Sequence, residues 1–171
     1  CVPLSRNNSD EGAGQPAAAS GGENLIYEPF DDPALPNTYT TGDVSLVSGT
    51  WNVDTVYNES SSASYGGTGH AARINDDTAG AHITTPTVAS VGTVSFYWRE
   101  LNSGGGTFKI QKSVDGGAFT DVTTQAFSGN TFTYYEYDVN ETGPNVRIRV
   151  LNDNQSGHLI IDEFNLYSYG S

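Results

Sequence analysis

The sequence is short of several things that usually define a protein's trade. Among its 171 residues there is no methionine and one cysteine, and seven lysines and arginines face twenty acidic residues, for a formal net charge of −13. With Cys1 as the single cysteine, no disulfide can close within the chain. The few basic residues form no stripe, so the acidic surface repels phosphate and excludes nucleic acid as a partner. No stretch approaches the ~18 apolar residues of a membrane-spanning helix, and no window keeps a helical hydrophobic period. Signatures of chemistry are missing too. His70, His82 and His158 have no thiol partner and no zinc-like spacing. No nucleophile-elbow motif is present. The glycine-rich stretches at 66–69 and 104–106 are not followed by a lysine and a helix, so they do not cradle phosphate. The expectation is a protein without catalytic function, although a carboxylate pair for glycoside hydrolysis depends on a separation only structure gives. The lack of methionine even at position 1 is read as the mark of a processed chain.

What is present falls into two parts. Residues 1–23 are dominated by Gly, Ala, Ser, Pro and Asn, the composition of a flexible tether or extended arm. From Leu25 the texture changes to short runs of Val, Ile, Thr, Tyr and Phe between Gly, Asn, Asp and Ser clusters. Strands are expected near 24–30, 44–47, 50–56, 70–75, 80–85, 92–101, 106–114, 119–124, 132–139, 145–152 and 158–168. Asp115-Gly116-Gly117 is the strongest hairpin signal, and Asn102–Gly106 a longer turn. Many short strands at near-regular spacing predict an all-β fold: a two-sheet antiparallel β-sandwich of the jelly-roll kind over 24–171, carrying an extended N-terminal arm.

Alternation assigns faces within the strands. Val94, Phe96 and Trp98 oppose Ser95, Tyr97 and Arg99; Val146, Ile148 and Val150 oppose Arg147 and Arg149; Tyr135, Tyr137 and Val139 oppose Tyr134, Glu136 and Asp138; Phe108 and Ile110 oppose Lys109 and Gln111. These four strands are expected to share one sheet with an apolar and a polar face. Tyr97, Arg99, Tyr134, Arg147 and Arg149 then gather on the polar face as candidate ligand-binding residues, since stacking rings and guanidinium donors suit a sugar. The competing reading pairs those cations with acids such as Glu136 and Asp138.

Two resemblances follow. Cys1 ahead of a polar, small-residue tail resembles a mature bacterial lipoprotein, which implies lipidation of Cys1 and a membrane contact through that lipid alone; the alternative is a free thiol. LIYEPFDDPALPNTYT at 25–40, TTPTV at 84–88, VSFYWRE at 94–100, FKIQKSVDGGAFTDV at 108–122, NVRIRVLN at 145–152 and GHLIIDEFNL at 157–166 together resemble MAM-like, "choice-of-anchor" jelly-roll domains of Bacteroidetes-type surface proteins. That resemblance implies an extracellular or cell-surface domain of adhesive, glycan-binding or structural use, and a structural Ca²⁺ between the first and last strands.

The residues point to the same metal. Glu28 shares a face with Ile26 and Phe30, and Asp162 with Ile160, Phe164 and Leu166, so both carboxylates are expected to point inward, where an ion needs a partner. Glu28, Asp31 and Asp162, with Asp32 next, are therefore the candidate calcium ligands. The other reading leaves them at strand ends in water, or sharing a proton. The spacing from Asn152 to Glu163 mimics an EF-hand loop but lacks its first Asp and its helices, and Asn75-Asp76-Asp77 reads as a solvated turn. Function is read in two ways: a self-assembling surface filament whose arm docks on the next copy, making a homopolymer, or a cell-surface carbohydrate-binding module with a polysaccharide partner.

Overall fold

The computed structural model describes residues 22–76, 78–101, 104–153 and 157–170. Cys1, Asp77 and all of the expected arm except Gly22 and Glu23 lie outside these residues. Eleven strands are described: β1 (Asn24–Glu28), β2 (Thr40–Leu46), β3 (Gly49–Glu59), β4 (Ala71–Ile74), β5 (His82–Thr84), β6 (Val91–Glu100), β7 (Gly106–Val114), β8 (Thr120–Phe127), β9 (Thr133–Glu141), β10 (Val146–Asn152) and β11 (Leu159–Tyr167). Each overlaps an expected strand, because period-two alternation between turn residues is a local signal that tertiary context did not override. Every pairing is antiparallel.

The fold is an all-β jelly-roll sandwich of two layers. The first runs β8-β7-β10-β5-β3-β2; the second runs β9-β6-β11, with β4 and β1 successively on the far side of β11. Strand β3 serves both. Its residues 52–54 pair with β5 and its residues 56–59 with β4, and between them Thr55 takes a left-handed φ of 56°, where the strand turns from one layer into the other. Glu163, at φ 53°, makes a similar break in β11, where the register to β6 shifts between Asp162 and Asn165. The β7–β8 hairpin closes through Asp115 and Gly116, both at positive φ, with Gly117 N donating to Val114 O at 2.9 Å. That is a type I′ turn, as Asp-Gly-Gly predicts.

The layers meet through a chain of rings. Phe30 lies edge-on to Trp51 at 5.5 Å, Trp51 to Phe164 at 5.2 Å, Phe164 stacks on Phe96 at 5.8 Å, and Phe96 reaches Phe108 at 5.6 Å across the sandwich. All five are fully buried. The expected inward faces hold for β6, β7 and β10. The four strands do not share a sheet: β6 pairs with β9 in the second layer and β7 with β10 in the first. Both layers turn an apolar face inward, so alternation identifies a buried face without saying which layer owns it. Tyr137, expected inside, is 36% exposed.

Two buried carboxylates organise loops. Glu28 Oε2 accepts from Phe30 N at 2.9 Å, and its Oε1 accepts from Ser48 N at 3.2 Å and Ser48 Oγ at 2.6 Å; the same hydroxyl accepts from Trp51 Nε1 at 2.7 Å. Glu100, which the alternation did not single out, accepts from Gly105 N at 2.7 Å and Gly129 N at 3.1 Å. A Cβ on Gly157 would stand 2.2 Å from Glu100 Oε2, so that position admits no side chain without displacing the carboxylate.

Ser48→Ala leaves both the Trp51 indole N–H and Glu28 Oε1 short of a partner. The expected loss is about 1–3 kcal/mol of stability, read by urea unfolding followed by tryptophan fluorescence; an unchanged midpoint would show that the relay contributes nothing.

Candidate functional site

The outward side of the first layer carries a band of polar groups paired from strand to strand, with a register shift between Ile110 and Gln111 where β7 meets β8. Asp43 of β2 stands beside Asn52 of β3, Asn52 beside Thr84 of β5, Thr84 beside Arg149 of β10, Arg149 beside Gln111 of β7, and Gln111 beside Asp121 of β8. Asp43, Asn52, Arg149 and Gln111 stand next to buried neighbours such as Val44, Trp51, Val53, Ile148 and Ile110, which aims them outward. Thr84 is itself fully buried, its hydroxyl accepting from Arg149 Nε. Six strands at a spacing of ~4.8 Å make the band roughly 24 Å long. Hydrogen bonds fix its ends: Asn52 Nδ2 donates to Asp43 Oδ1 at 2.9 Å, and Gln111 Nε2 to Asp121 Oδ1 at 2.8 Å.

At its centre the Arg149 guanidinium lies 3.7 Å over the Phe119 ring, and its Nε donates to Thr84 Oγ1 at 3.0 Å. Arg147, two residues away on the same face, donates Nε to Thr85 O at 3.0 Å. Burial and the charge of Arg147 draw the Arg149 guanidinium below its ordinary value, with Asp54 opposing. His82 stands in the next row, opposite Leu151 and Asp54. Its Nδ1 meets Gly80 O at 2.8 Å and its Nε2 is buried with no hydrogen-bond partner among the described residues, while burial and then Arg149 and Arg147 hold its pKa down.

Tyr97, Arg99 and Tyr134 are therefore separated from Arg147 and Arg149: the former three stand on the outward side of the second layer. There the chain covers them itself. The ring of Tyr65, from the loop between β3 and β4, stacks on Tyr97 at 3.8 Å and 21°, Tyr134 lies 5.3 Å from Tyr97, and Phe132 closes on Tyr65 at 5.8 Å. Burial and the bond to Tyr65 push the Tyr97 phenol up to about 12. Arg99 donates Nε to Glu100 O at 3.1 Å beside Phe132. Residues that sequence reasoning missed are Phe119, Asn52, Thr84 and Gln111. The alternate polar positions of β3, β5 and β7 signalled the last three; nothing local marked Phe119.

Glu28 and Asp162 do point inward, with 0% and 2% exposure. Each is used by the protein's own donors. Asp162 Oδ2 accepts from Tyr65 N at 2.9 Å and Oδ1 from Glu163 N at 2.8 Å, while Asp31 Oδ1 accepts from His70 N at 2.7 Å. Burial pushes the Asp162 carboxyl up to about 8 against those two N–H bonds, with Glu163 and Asp31 adding repulsion. Burial also raises Glu28, whose charged neighbour is Asp32. Among the described residues no group of three or more His, Cys, Asp or Glu side chains is placed to hold a metal. Asn152, first in the EF-hand-like spacing, is buried and gives its amide to the carbonyls of Asn75 and Gly157 at 3.1 and 3.0 Å, as a donor rather than a ligand.

The fold and this outward platform define an all-β jelly-roll domain with one open polar sheet face and one covered by its own loop. No protein-family model and no curated protein matches the chain. Solved structures do resemble it. The CBM22-1 xylan-binding domain of Xyn10C from Paenibacillus barcinonensis is similar at a TM-score of 0.60 and 13% identity, over 91% of this chain and 99% of that one. The K1 cleaved adhesin domain of Lys-gingipain from Porphyromonas gingivalis W83 is similar at 0.59 and 15%, over 85% and 98%. TmCBM61, solved with β-1,4-galactotriose, is similar at 0.51 and 18%, over 69% and 88%. At these identities the likeness is one of fold.

The raised carboxyl of Asp162 has a pH consequence. Its folded value of about 8 lies above the 3.8 of an unperturbed aspartate, so the fold binds the proton more tightly than the unfolded chain does. The contribution is full in acid and is lost as pH rises from about 4 to about 8. In chelator, the unfolding free energy of the wild type is expected to fall more steeply over that window than that of Asp162→Asn. Parallel pH profiles would show an ordinary carboxylate.

Proposed function

We propose that this domain is a non-catalytic carbohydrate-binding module of the cell surface or extracellular space, holding a sugar chain along the outward band of the first layer. The observation that carries the reading is the register itself. Asp43, Asn52, Arg149, Gln111 and Asp121 present carboxylate, amide and guanidinium groups in one line across the strands. Thr84 lies fully buried among them as a support for Arg149, and Phe119 adds an apolar ring held against Arg149. A saccharide offers hydroxyls on its rim and C–H faces on its ring, which such a mixture satisfies. The likeness in fold to domains described as binding xylan and β-1,4-galactotriose supports the same reading. The filament reading depends on the arm over 1–23, nearly all of it outside the described residues, and no observation favours it.

Affinity electrophoresis through gels holding xylan, β-1,4-galactan or acidic polysaccharides tests the module. Retardation by at least one polymer is expected, with a weakening of tenfold or more in Phe119→Ala and Arg149→Ala. No retardation by any polymer removes the reading.

Calcium at Glu28, Asp31 and Asp162, which the described side chains do not bring together as a cluster, stays a proposal of the same kind. What supports it is the crowding of Asp31 and Glu163 on Asp162 where β11 breaks; what such an ion would supply is charge balance between the first and last strands. Saturating Ca²⁺ is then expected to stabilise the fold by about 2.7 kcal/mol at a hundredfold excess over Kd, and not in Asp162→Asn. An unchanged melting temperature in Ca²⁺ removes the ion from the account.

A further inference from the structure

Of the six described lysines and arginines, three are paired with carboxylates and three, Arg99, Arg147 and Arg149, are not; of these three only Arg147 and Arg149 stand together on one strand. Arg73 is ion-paired with Glu59 at 2.7 Å and covered by Tyr57 at 4.2 Å; Lys109 is paired with Asp121 at 2.9 Å and Lys112 with Glu141 at 2.7 Å. Arg147 and Arg149 meet no carboxylate at ion-pair distance among the described residues, although the chain holds twenty acidic side chains. Two like charges two residues apart on one strand face repel each other, and both stand half-buried on the open face.

Their geometry is fixed. Each guanidinium turns its Nε inward, to Thr85 O and to Thr84 Oγ1, both at 3.0 Å, and Arg149 is clamped on Phe119. The terminal nitrogens of both make no hydrogen bond within the described residues. A guanidinium so oriented presents paired N–H groups in the plane that carboxylate and sulfate oxygens match. Asp54, whose charge opposes that of Arg147 at Arg149, accepts at Oδ1 from the Thr55 hydroxyl at 2.8 Å, and Gln111 and Lys109 beside the pair are both engaged with Asp121.

We infer that Arg147 and Arg149 form an oxyanion-reading subsite on the first-layer platform, so that the preferred saccharide carries an acidic group, a carboxylate or a sulfate ester. This rests on the carbohydrate-binding reading and gives it a substrate class. The surrounding acids then act as a filter: polyanions that do not place a charge over the arginine pair meet net repulsion.

Two matched pairs of polymers separate the sources of the oxyanion: polygalacturonate against its carboxyl-reduced form, and dextran sulfate against dextran. Calorimetry on the purified chain is expected to show at least tenfold tighter binding to the acidic member of one pair, and that pair names the group. Arg147→Gln and Arg149→Gln are each expected to shrink the ratio toward one, with circular dichroism confirming the fold. Equal affinity for both members of each pair overturns the subsite and leaves the module standing, as does an acidic preference untouched by either substitution. Binding to xylan or galactan with none to the acidic polymers also overturns the subsite alone. No binding to any polymer overturns both.

Discussion

The ring chain Phe30–Trp51–Phe164–Phe96–Phe108 is the contact on which the rest of the molecule depends, because it runs through the middle of the core where the two layers meet. A buried aromatic removes 150–250 Å² from water, worth about 4–6 kcal/mol at ~25 cal/mol per Å² before conformational entropy is counted. Trp51 is the one member with a polar atom, and its indole N–H is handed to Ser48 and thence to Glu28. A carboxylate with no exposed surface is thereby tied to the core and to the first strand at once. The chain direction around Phe30, which holds a left-handed φ of 57°, is set by the same group.

A rigid centre is what lets the outward face carry function. Asn52 and Arg149, at the middle of the polar band, are flanked on both sides by inward side chains that cannot move without opening the core, so the spacing of their hydrogen-bonding groups is that of the strands themselves. The second layer's outward face has gone the other way: Tyr65 fills the place beside Tyr97 that a ligand ring would take. One face is completed from within and the other is left open, and the open one carries Arg147 and Arg149 side by side without an ion pair.

The sequence disclosed the strands, the β7–β8 turn and the inward carboxylates, since each depends on residues adjacent in the chain. Val146, Ile148 and Val150 alternate with Arg147 and Arg149 whichever sheet they join, so the buried face was legible and the layer was not. The union of Tyr97, Tyr134 and the arginines on one surface failed for that reason. Tyr65 over Tyr97 and Phe119 under Arg149 are contacts between a loop and a strand distant in sequence, with no periodic trace. Glu100 reads as the polar end of a strand; that it turns inward follows from three loops converging there, which only the folded chain brings about.

That convergence bears on how this domain could be changed. Glu100 holds the backbones at Gly105 and Gly129, and Gly157 lies so close that a methyl group has no room. Loops that meet on a single carboxylate cannot be lengthened or decorated one at a time, since altering one disturbs its neighbours. This end of the sandwich is therefore closed to diversification, and new specificities, natural or engineered, have to be written in side chains on the open sheet.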